Sequence, residues 1–382
     1  MKILMISSDK NILKNGSPSA KRMTEYGKLA DIYIILFCLK DKKAAVSKIS
    51  GNVFVFPTRS MNKLFYFFDG YKIGKEILRS EYKNDKWIIT PQDPFEMGFL
   101  GFILSRKFKT SLYLQAHTDF LSPYFKAESF LNRARVKMAK FLIPKADGIR
   151  IVSKRIKNSL IKEFKINKDK ISILPIFVDI KKIKNIPITI NLRDKYPQFD
   201  FIILIVSRLA KEKNISLALN TMKEIVLKKP KTGLIIAGGG SERKNIENEI
   251  KKLNIGENVI LEGNIEFNDL ISYYKTADIF VSVSNYEGYG MAVLEAMAAG
   301  LPVVMTDTGL AGEILINKKD GFVVPVGDLK QLTESILNLM EKKELRARFS
   351  KNAQITVNFQ QSKEDYFSAY RSSLFNLLSS KK

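Results

Sequence analysis

The sequence predicts an α/β protein built from two doubly wound parallel sheets, and three observations lead there. Strand-like runs that are apolar on both faces alternate with segments of helical spacing. That alternation occurs as two series. A polar stretch, "IKKIKNIPITINLRDKYPQF" at 180–199, separates them. The first series reads "KILMIS", "IYIILFCL", "VFVFP", "KWIITP", "SLYLQAH", "GIRIVS" and "ISILPI". The second reads "FIILIVSRL", "TGLIIAGGG", "NVILEG", "IFVSVS", "VVMTD" and "FVVPV". Segments 241–254 and 328–342 place apolar residues at helical spacing between such runs, which completes the βαβ pattern.

The separating stretch carries two prolines and little periodicity, as a linker does. The expected domains are therefore 1–185 and 186–361. The last helix, 362–382, has aromatics at Tyr366, Phe367, Tyr370 and Phe375 and is assigned to the first domain. In two such domains facing each other, ligands bind at the carboxyl ends of the strands.

Length and composition agree. A chain of 382 residues with 45% hydrophobic content can bury two ordinary cores. "KILMIS" reads as a first strand rather than the apolar core of a signal peptide. The longest apolar run, "IYIILFCL", is too short to span a bilayer. The expected location is cytoplasmic. The single cysteine, Cys38, lies inside that run, so it reads as a core residue and excludes an intrachain disulfide. The net charge is +24, and residues 1–180 hold most of it, with 34 Lys and Arg against 16 Asp and Glu. A basic surface suits nucleic acid, anionic lipid or phosphorylated substrates, although a lysine-rich composition also serves solubility alone.

The chemistry-bearing residues sit at strand ends. "NYEGYGMAVLEAMAAG", 285–300, sets Glu287 in a glycine loop and Glu295 just over one turn into an apolar helix. Gly288 and Gly290 allow close backbone approach, and free N–H groups at that helix start suit a phosphate or a sugar hydroxyl. A carboxylate on an apolar helix is costly to bury without a partner, so Glu295 is either bonded locally or kept for a ligand. In "VSRLAKEKN", Arg208 and Lys213 follow a buried strand. Such a pair can neutralise a diphosphate, although a solvated basic loop is the common fate of R-x4-K. His117, the only histidine, ends the fifth run of the first series. Gly16 and Ser17 precede the first helix, at another loop open to anions. "AGGGSERKN" has no third glycine at the dinucleotide spacing, which disfavours NAD. No clustered His, Cys and Asp metal signature is present. Two basic segments, "MNKLFYFFDGYK" at 61–72 and "FLNRARVKMAKFLIPK" at 130–145, combine aromatic or aliphatic residues with cations such as Arg133, Arg135, Lys137, Lys140 and Lys145. That pattern fits an anionic lipid surface and fits ordinary helix packing equally.

In this order, "VSRLAKEKN", "LIIAGGGSE", "VILEGNI", "SNYEGYGMAVLEAMAAGLPVVMTD" and "DGFVVPVGD" resemble the retaining glycosyltransferases of the GT-B fold, the group 1 type or family GT4. "TPQDPFEMGFLG", "LQAHTDFLSPYF" and "ILPIFVD" resemble members that build bacterial surface polysaccharides. The resemblance implies a GT-B pair of Rossmann-like domains across a cleft. It implies a hexosyltransferase that moves a hexose or N-acetylhexosamine from a nucleoside-diphosphate sugar, with UDP expected, to a saccharide or lipid-linked acceptor of the cell envelope. By that resemblance Arg208 and Lys213 hold the diphosphate, Glu287 holds a hydroxyl of the transferred sugar, and Glu295 binds the ribose. Gly288, Tyr289, Gly290 and Met291 assist through their backbone. Gly263, Asn264 and Ile265 line the base pocket, and His117 meets the donor sugar near the reacting carbon. Gly16 and Ser17 approach the phosphates. No metal and no cofactor beyond the sugar nucleotide is implied. A peripheral position on the inner face of the membrane is expected, and nucleic acid is not. Two positions depart from the family's habit: Gly-Ser at 16–17 in place of Gly-Gly, and Tyr289 in place of Phe. Rival readings are a sugar-nucleotide epimerase of the same fold, a glycosidase using the two glutamates as acid and base, and a nucleic-acid binder motivated by charge alone.

Overall fold

The computed structural model describes residues 1–41, 45–81 and 86–379. The chain divides into two compact units. The first comprises Met1–Leu121, Ser129–Pro175 and Lys363–Lys382; the second comprises Ser122–Glu128 and Ile176–Ser362.

The first unit holds β1 (Lys2–Ser7), β2 (Asp31–Leu36), β3 (Ser47–Ser50), β4 (Val53–Pro57), β5 (Trp87–Pro91), β6 (Ser111–Ala116), β7 (Gly148–Ile151) and β8 (Ile171–Ile173). They form one sheet in the order β3-β4-β2-β1-β5-β6-β7-β8, parallel except that β3 runs antiparallel to β4. Strand β3 was not foreseen in the sequence. It is a short polar edge strand, "SKIS", held by β4 alone, and hydrophobic patterning does not mark such a strand. It also makes the histidine-bearing run the sixth strand rather than the fifth. The strand in the apolar run at 32–39 ends at Leu36, and beyond it Thr58 Oγ1 bonds both the N–H and the C=O of Cys38 at 3.0 Å. Cys38 is buried. The core packs Leu4, Ile6, Ile35 and Ile89 of the sheet against Ile77, Leu78, Leu100 and Leu104 of two helices, Tyr66–Ser80 and Glu96–Phe108.

The second unit holds β9 (Phe201–Val206), β10 (Thr232–Ala237), β11 (Val259–Gly263), β12 (Ile279–Ser282), β13 (Val303–Thr306) and β14 (Gly321–Val324). Their order, β11-β10-β9-β12-β13-β14, is fully parallel. The order reverses between β9 and β12. In the first unit it reverses between β1 and β5. Crossover helices leave in opposite directions at such a point and open a crevice at the carboxyl ends.

The stretch expected as a linker is structured. It forms two short helices, Ile180–Asn185 and Leu192–Lys195, with Ile183 and Leu192 fully buried. Lys275 Nζ donates to the carbonyls of Lys184 and Ile186, and the Thr189 N–H donates to Ser272 Oγ at 2.9 Å. These bonds bind the stretch to the helix Phe267–Thr276 of the second unit, so the units divide at 175/176 rather than at 185/186. The segment Ser122–Glu128, inside the expected first domain, also belongs to the second unit.

The last helix, Lys363–Ser379, belongs to the first unit. Tyr366 and Tyr370 are buried there beside Tyr26, with ring centroids of Tyr26 and Tyr370 4.8 Å apart.

Candidate functional site

The switch point of the second unit collects charged groups. Strand β9 ends at Val206 and leads into Ser207, Arg208 and Leu209. Strand β12 leads into the loop 283–290, and then the helix Met291–Ala299 begins. The two loops are tied together through the Asn285 N–H, which donates to the Glu212 carbonyl at 2.8 Å, and through Asn214 Nδ2, which donates to Asn285 Oδ1 at 2.9 Å.

That stitching brings Lys213 onto Glu287. Lys213 Nζ donates to Glu287 Oε1, and Ser284 Oγ donates to the same oxygen at 3.0 Å. Ser284 is itself set by Thr306 of β13, whose hydroxyl donates to the Ser284 carbonyl at 2.7 Å. The Lys213 and Glu287 side chains are only 14% and 19% exposed. Removing one partner of so enclosed a pair leaves an uncompensated charge, at a cost of about 3–5 kcal/mol. Arg208 differs. It bonds Glu212 at 2.7 Å, but its side chain is 76% exposed, so that pair is worth less than about 1 kcal/mol and leaves Arg208 free to swing to a ligand.

The helix Met291–Ala299 opens without a side-chain cap. Its N-cap, Gly290, has φ +103°, a backbone state that side chains disfavour and glycine permits. Among the described residues, the N–H groups of Met291 and Ala292 meet no acceptor, so the helix start offers two donors and a positive dipole end. Tyr289 is buried, and its carbonyl accepts from the Leu310 N–H at 2.8 Å. Burial and the nearby Glu313 carboxylate hold its phenol above the ordinary tyrosine range.

Glu295 lies further along this apolar helix. Tyr274 Oη donates to its Oε2 at 3.0 Å, while Oε1 takes no bond from the described protein. Burial pushes the Glu295 carboxyl up to about 7, against the hydrogen bond that lowers it. Of the two alternatives for this carboxylate, the local bond is present at one oxygen, and the other oxygen takes no bond from the described residues.

The glycine cluster at the end of β10 has a structural reason. The Leu209 N–H donates to the Gly239 carbonyl at 2.9 Å, and the Gly238 N–H donates to Gly263 at 2.6 Å. Gly238 has φ +134°, and a Cβ there would overlap the Ser207 carbonyl. The cluster thus clamps the Arg208 loop, a role that the spacing rule for dinucleotides did not reveal. Gly263, with φ +72°, ends β11, and Asn264 packs its side chain near Gly239. Among the described residues, no hydrogen bond joins Ile265 to this group.

In the first unit, His117 follows β6. Its Nε2 lies 3.0 Å from Gln115 Oε1 and 3.2 Å from Gln92 Oε1. Its Nδ1 is buried and has no hydrogen-bond partner. Burial, with the Arg150 and Arg22 charges adding to it, pushes the imidazole down to about 3, so the ring is neutral. Ser17 is engaged as the N-cap of the helix Pro18–Gly27. Its hydroxyl accepts from the Ala20 N–H at 3.0 Å and donates to the Asn11 carbonyl at 2.6 Å, and its N–H donates to Lys14. Gly16, with φ +76°, supplies the turn before it.

Sequence reasoning did not single out Tyr274, Ser284, Gln92, Gln115 or Arg150. For Arg150 a signal existed: an arginine in the middle of the apolar strand "GIRIVS" is almost fully buried, at 2% exposure.

Residues 191–356 match the family of glycosyl transferases group 1. The chain is 27% identical over 267 residues to an alpha-monoglucosyldiacylglycerol synthase of Streptococcus pneumoniae, covering 67% of this chain and 59% of that enzyme. The match thus spans less than two thirds of that relative's length. Among solved structures, a sucrose-phosphate synthase from Thermosynechococcus elongatus superposes with TM-score 0.83 at 19% identity over the whole of both chains. The crystal structure of Anabaena HepE in complex with UDP and glucose superposes with TM-score 0.75 at 22% identity, again over both whole chains. At those identities the structural likeness concerns the fold.

Proposed function

We propose, for a chain that belongs to the group 1 glycosyltransferases and has the GT-B fold, that it moves a hexose or N-acetylhexosamine from a UDP-sugar to a saccharide or lipid-linked acceptor with retention at the anomeric carbon. The observation that carries this reading is the Lys213–Glu287 pair at the β9/β12 switch point, beside an uncapped helix start and a half-open Glu295.

Each group has a task in that reaction. Breaking the bond between sugar and diphosphate builds negative charge on the leaving oxygen. Lys213, a mobile Arg208 and the N–H groups of Met291 and Ala292 offset it. Glu287, oriented by Lys213 and Ser284, accepts from a hydroxyl of the transferred sugar. Glu295 Oε1 accepts from a ribose hydroxyl, with Tyr274 holding the other oxygen in place. Gly263, Asn264 and Ile265 are assigned to the base, and Gly16 to the phosphates. Ser17 serves there through the turn that it caps, since its own polar groups are engaged. His117, neutral, accepts from a sugar hydroxyl. The acceptor's proton passes to a phosphate oxygen of the leaving group on the same face, so the chain supplies no separate base.

The UDP assignment draws support from a neighbour in fold whose complex contains UDP and glucose, and a glycolipid acceptor from a relative that is a glucosyldiacylglycerol synthase. An anionic membrane face has support in the first unit. Phe68 packs edge-on against Phe67, Phe67 against Phe99, and Phe102 against Phe141, which forms an aromatic ribbon over three helices. Met61 and Phe130 are each 83% exposed, and Lys145 sits 4.1 Å over the Phe141 ring. Arg135 and Lys140 do not contribute charge freely, because Glu96 and Glu163 pair with them. Flotation with anionic vesicles at low salt tests this face: wild type floats and Phe68→Ser with Phe130→Ser does not, whereas equal flotation of both would reject it.

A panel of nucleotide sugars with membrane lipid extract tests the enzyme reading. One donor is expected to release its nucleoside diphosphate and label the extract with the anomeric configuration kept. Release with no donor overturns the reading, and an inverted product overturns retention.

A further inference from the structure

The buried Arg150 needs an explanation of its own. A guanidinium sunk in a sheet is costly unless it is fully engaged, yet among the described residues no carboxylate bonds it. Its Nε donates to the Leu174 carbonyl at 3.2 Å, Nη1 to Gln115 Oε1 at 3.1 Å and Nη2 to Tyr366 Oη at 2.7 Å. Its charge lies over the rings of Tyr370 and Tyr366, at 5.1 and 5.9 Å. Tyr366 Oη also pairs with Tyr26 Oη at 2.6 Å.

The consequences run in one direction. An arginine can only donate, so the Gln115 atom that faces it is the amide oxygen. The other end of the same amide, Nε2, donates to Thr90 Oγ1 at 2.7 Å. The amide therefore cannot turn over. Its oxygen can only accept, so His117 Nε2, 3.0 Å away, must carry the proton. A neutral imidazole has one N–H. Nδ1 is then a bare lone pair, and it is the ring atom left buried without a partner. Gln92 lies at the same Nε2, but among the described residues no cation bonds its amide.

We infer that Arg150 and Gln115 are positioning residues that set the tautomer of His117, so that His117 meets its ligand only as a hydrogen-bond acceptor, through Nδ1. The ligand group that completes it is a hydrogen-bond donor, and on a sugar that is a hydroxyl or an amide N–H; an ionised carboxylate or phosphate oxygen would face lone pair against lone pair. The charged groups that act on the ring, Arg150 of β7 and Arg22 of the helix Pro18–Gly27, are both cationic and oppose a second ring proton. Through Tyr366, the helix Lys363–Ser379 holds the far end of the relay. That the group belongs to a donor sugar rests on the function proposed above; the tautomer does not.

His117 is the only histidine, so ¹⁵N-histidine labelling gives one imidazole to observe. Wild type is expected to show the Nε2–H tautomer alone, without titration, between about pH 5 and 8. Gln115→Met should yield mixed tautomers and drop kcat about tenfold, while Gln115→Glu, which keeps an acceptor, should keep the Nε2–H form. Tyr366→Phe, a milder change in the same relay, should admit some Nδ1–H form. An Nδ1–H or doubly protonated ring in wild type would overturn the inference, as would spectra of both Gln115→Met and Tyr366→Phe that superimpose on wild type. Adding the accepted sugar nucleotide should shift Nδ1. An unmoved Nδ1 in a correctly tautomeric wild type would overturn the ligand contact and the sugar assignment while the relay stands.

Discussion

The carboxyl ends of the two sheets share a topology and differ in chemistry. In the second unit the groups are ionic: Lys213 on Glu287, Arg208 on Glu212, and Glu295, half open, on the helix that follows the loop. In the first unit they are neutral, with two amides around a neutral imidazole and the Arg150 guanidinium bonded to one of those amides rather than to the ring. Strand order decides where a ligand can lie in such a sheet, and the side chains at those ends decide which part of a ligand each can take. An ionic end with an uncapped helix suits a diphosphate and the hydroxyls on either side of it. A neutral end with one bare lone pair suits an uncharged sugar hydroxyl.

Substitutions can break or sharpen that contrast. The largest effect is expected at the enclosed ion pair. Lys213→Met should lower kcat/KM for the accepted donor about 10²- to 10³-fold in a nucleoside-diphosphate release assay. Next is Glu295, whose carboxyl is pushed up to about 7 by burial. Under the proposed ribose assignment the ionised form is the acceptor, so donor affinity should fall as pH drops below about 7, and Glu295→Gln should flatten that dependence in calorimetry. Stability runs the other way. The folded-state value lies above the ordinary 4.5, so this group's contribution is full below about pH 4.5 and is lost as pH rises through about 7, by about 3 kcal/mol. Tyr274→Phe removes the bond that lowers this carboxyl and should move the affinity midpoint to higher pH. The smallest effect is expected at the exposed pair, where Glu212→Gln should change unfolding stability by less than about 0.5 kcal/mol in denaturant titration.

Sequence and structure meet most closely where burial is two-sided. All thirteen apolar runs contain strands, because a central parallel strand is apolar on both faces and shows it in one short stretch. Strand β3 escaped for the opposite reason, being polar and held on one side only. Lys213 and Glu287 were each visible as residues, but their pairing spans 74 positions and needs the switch point to bring them together. The same holds for Tyr274 with Glu295, on two different helices, and for Tyr366 with Arg150, 216 positions apart. The linker reading of 180–199 failed because its polar backbone is satisfied by side chains, chiefly Lys275 and Ser272, that local composition cannot reveal.

The central claim is that Glu287 and Glu295 grip different parts of one donor. Calorimetry of UDP and of the accepted UDP-sugar, on wild type and on the two single Gln variants, tests it most directly. Glu295→Gln is expected to weaken both ligands by about tenfold, near 1.4 kcal/mol, and Glu287→Gln to weaken the UDP-sugar while leaving UDP within about twofold. Unchanged UDP binding in Glu295→Gln, or equal weakening of both ligands in Glu287→Gln, would contradict it.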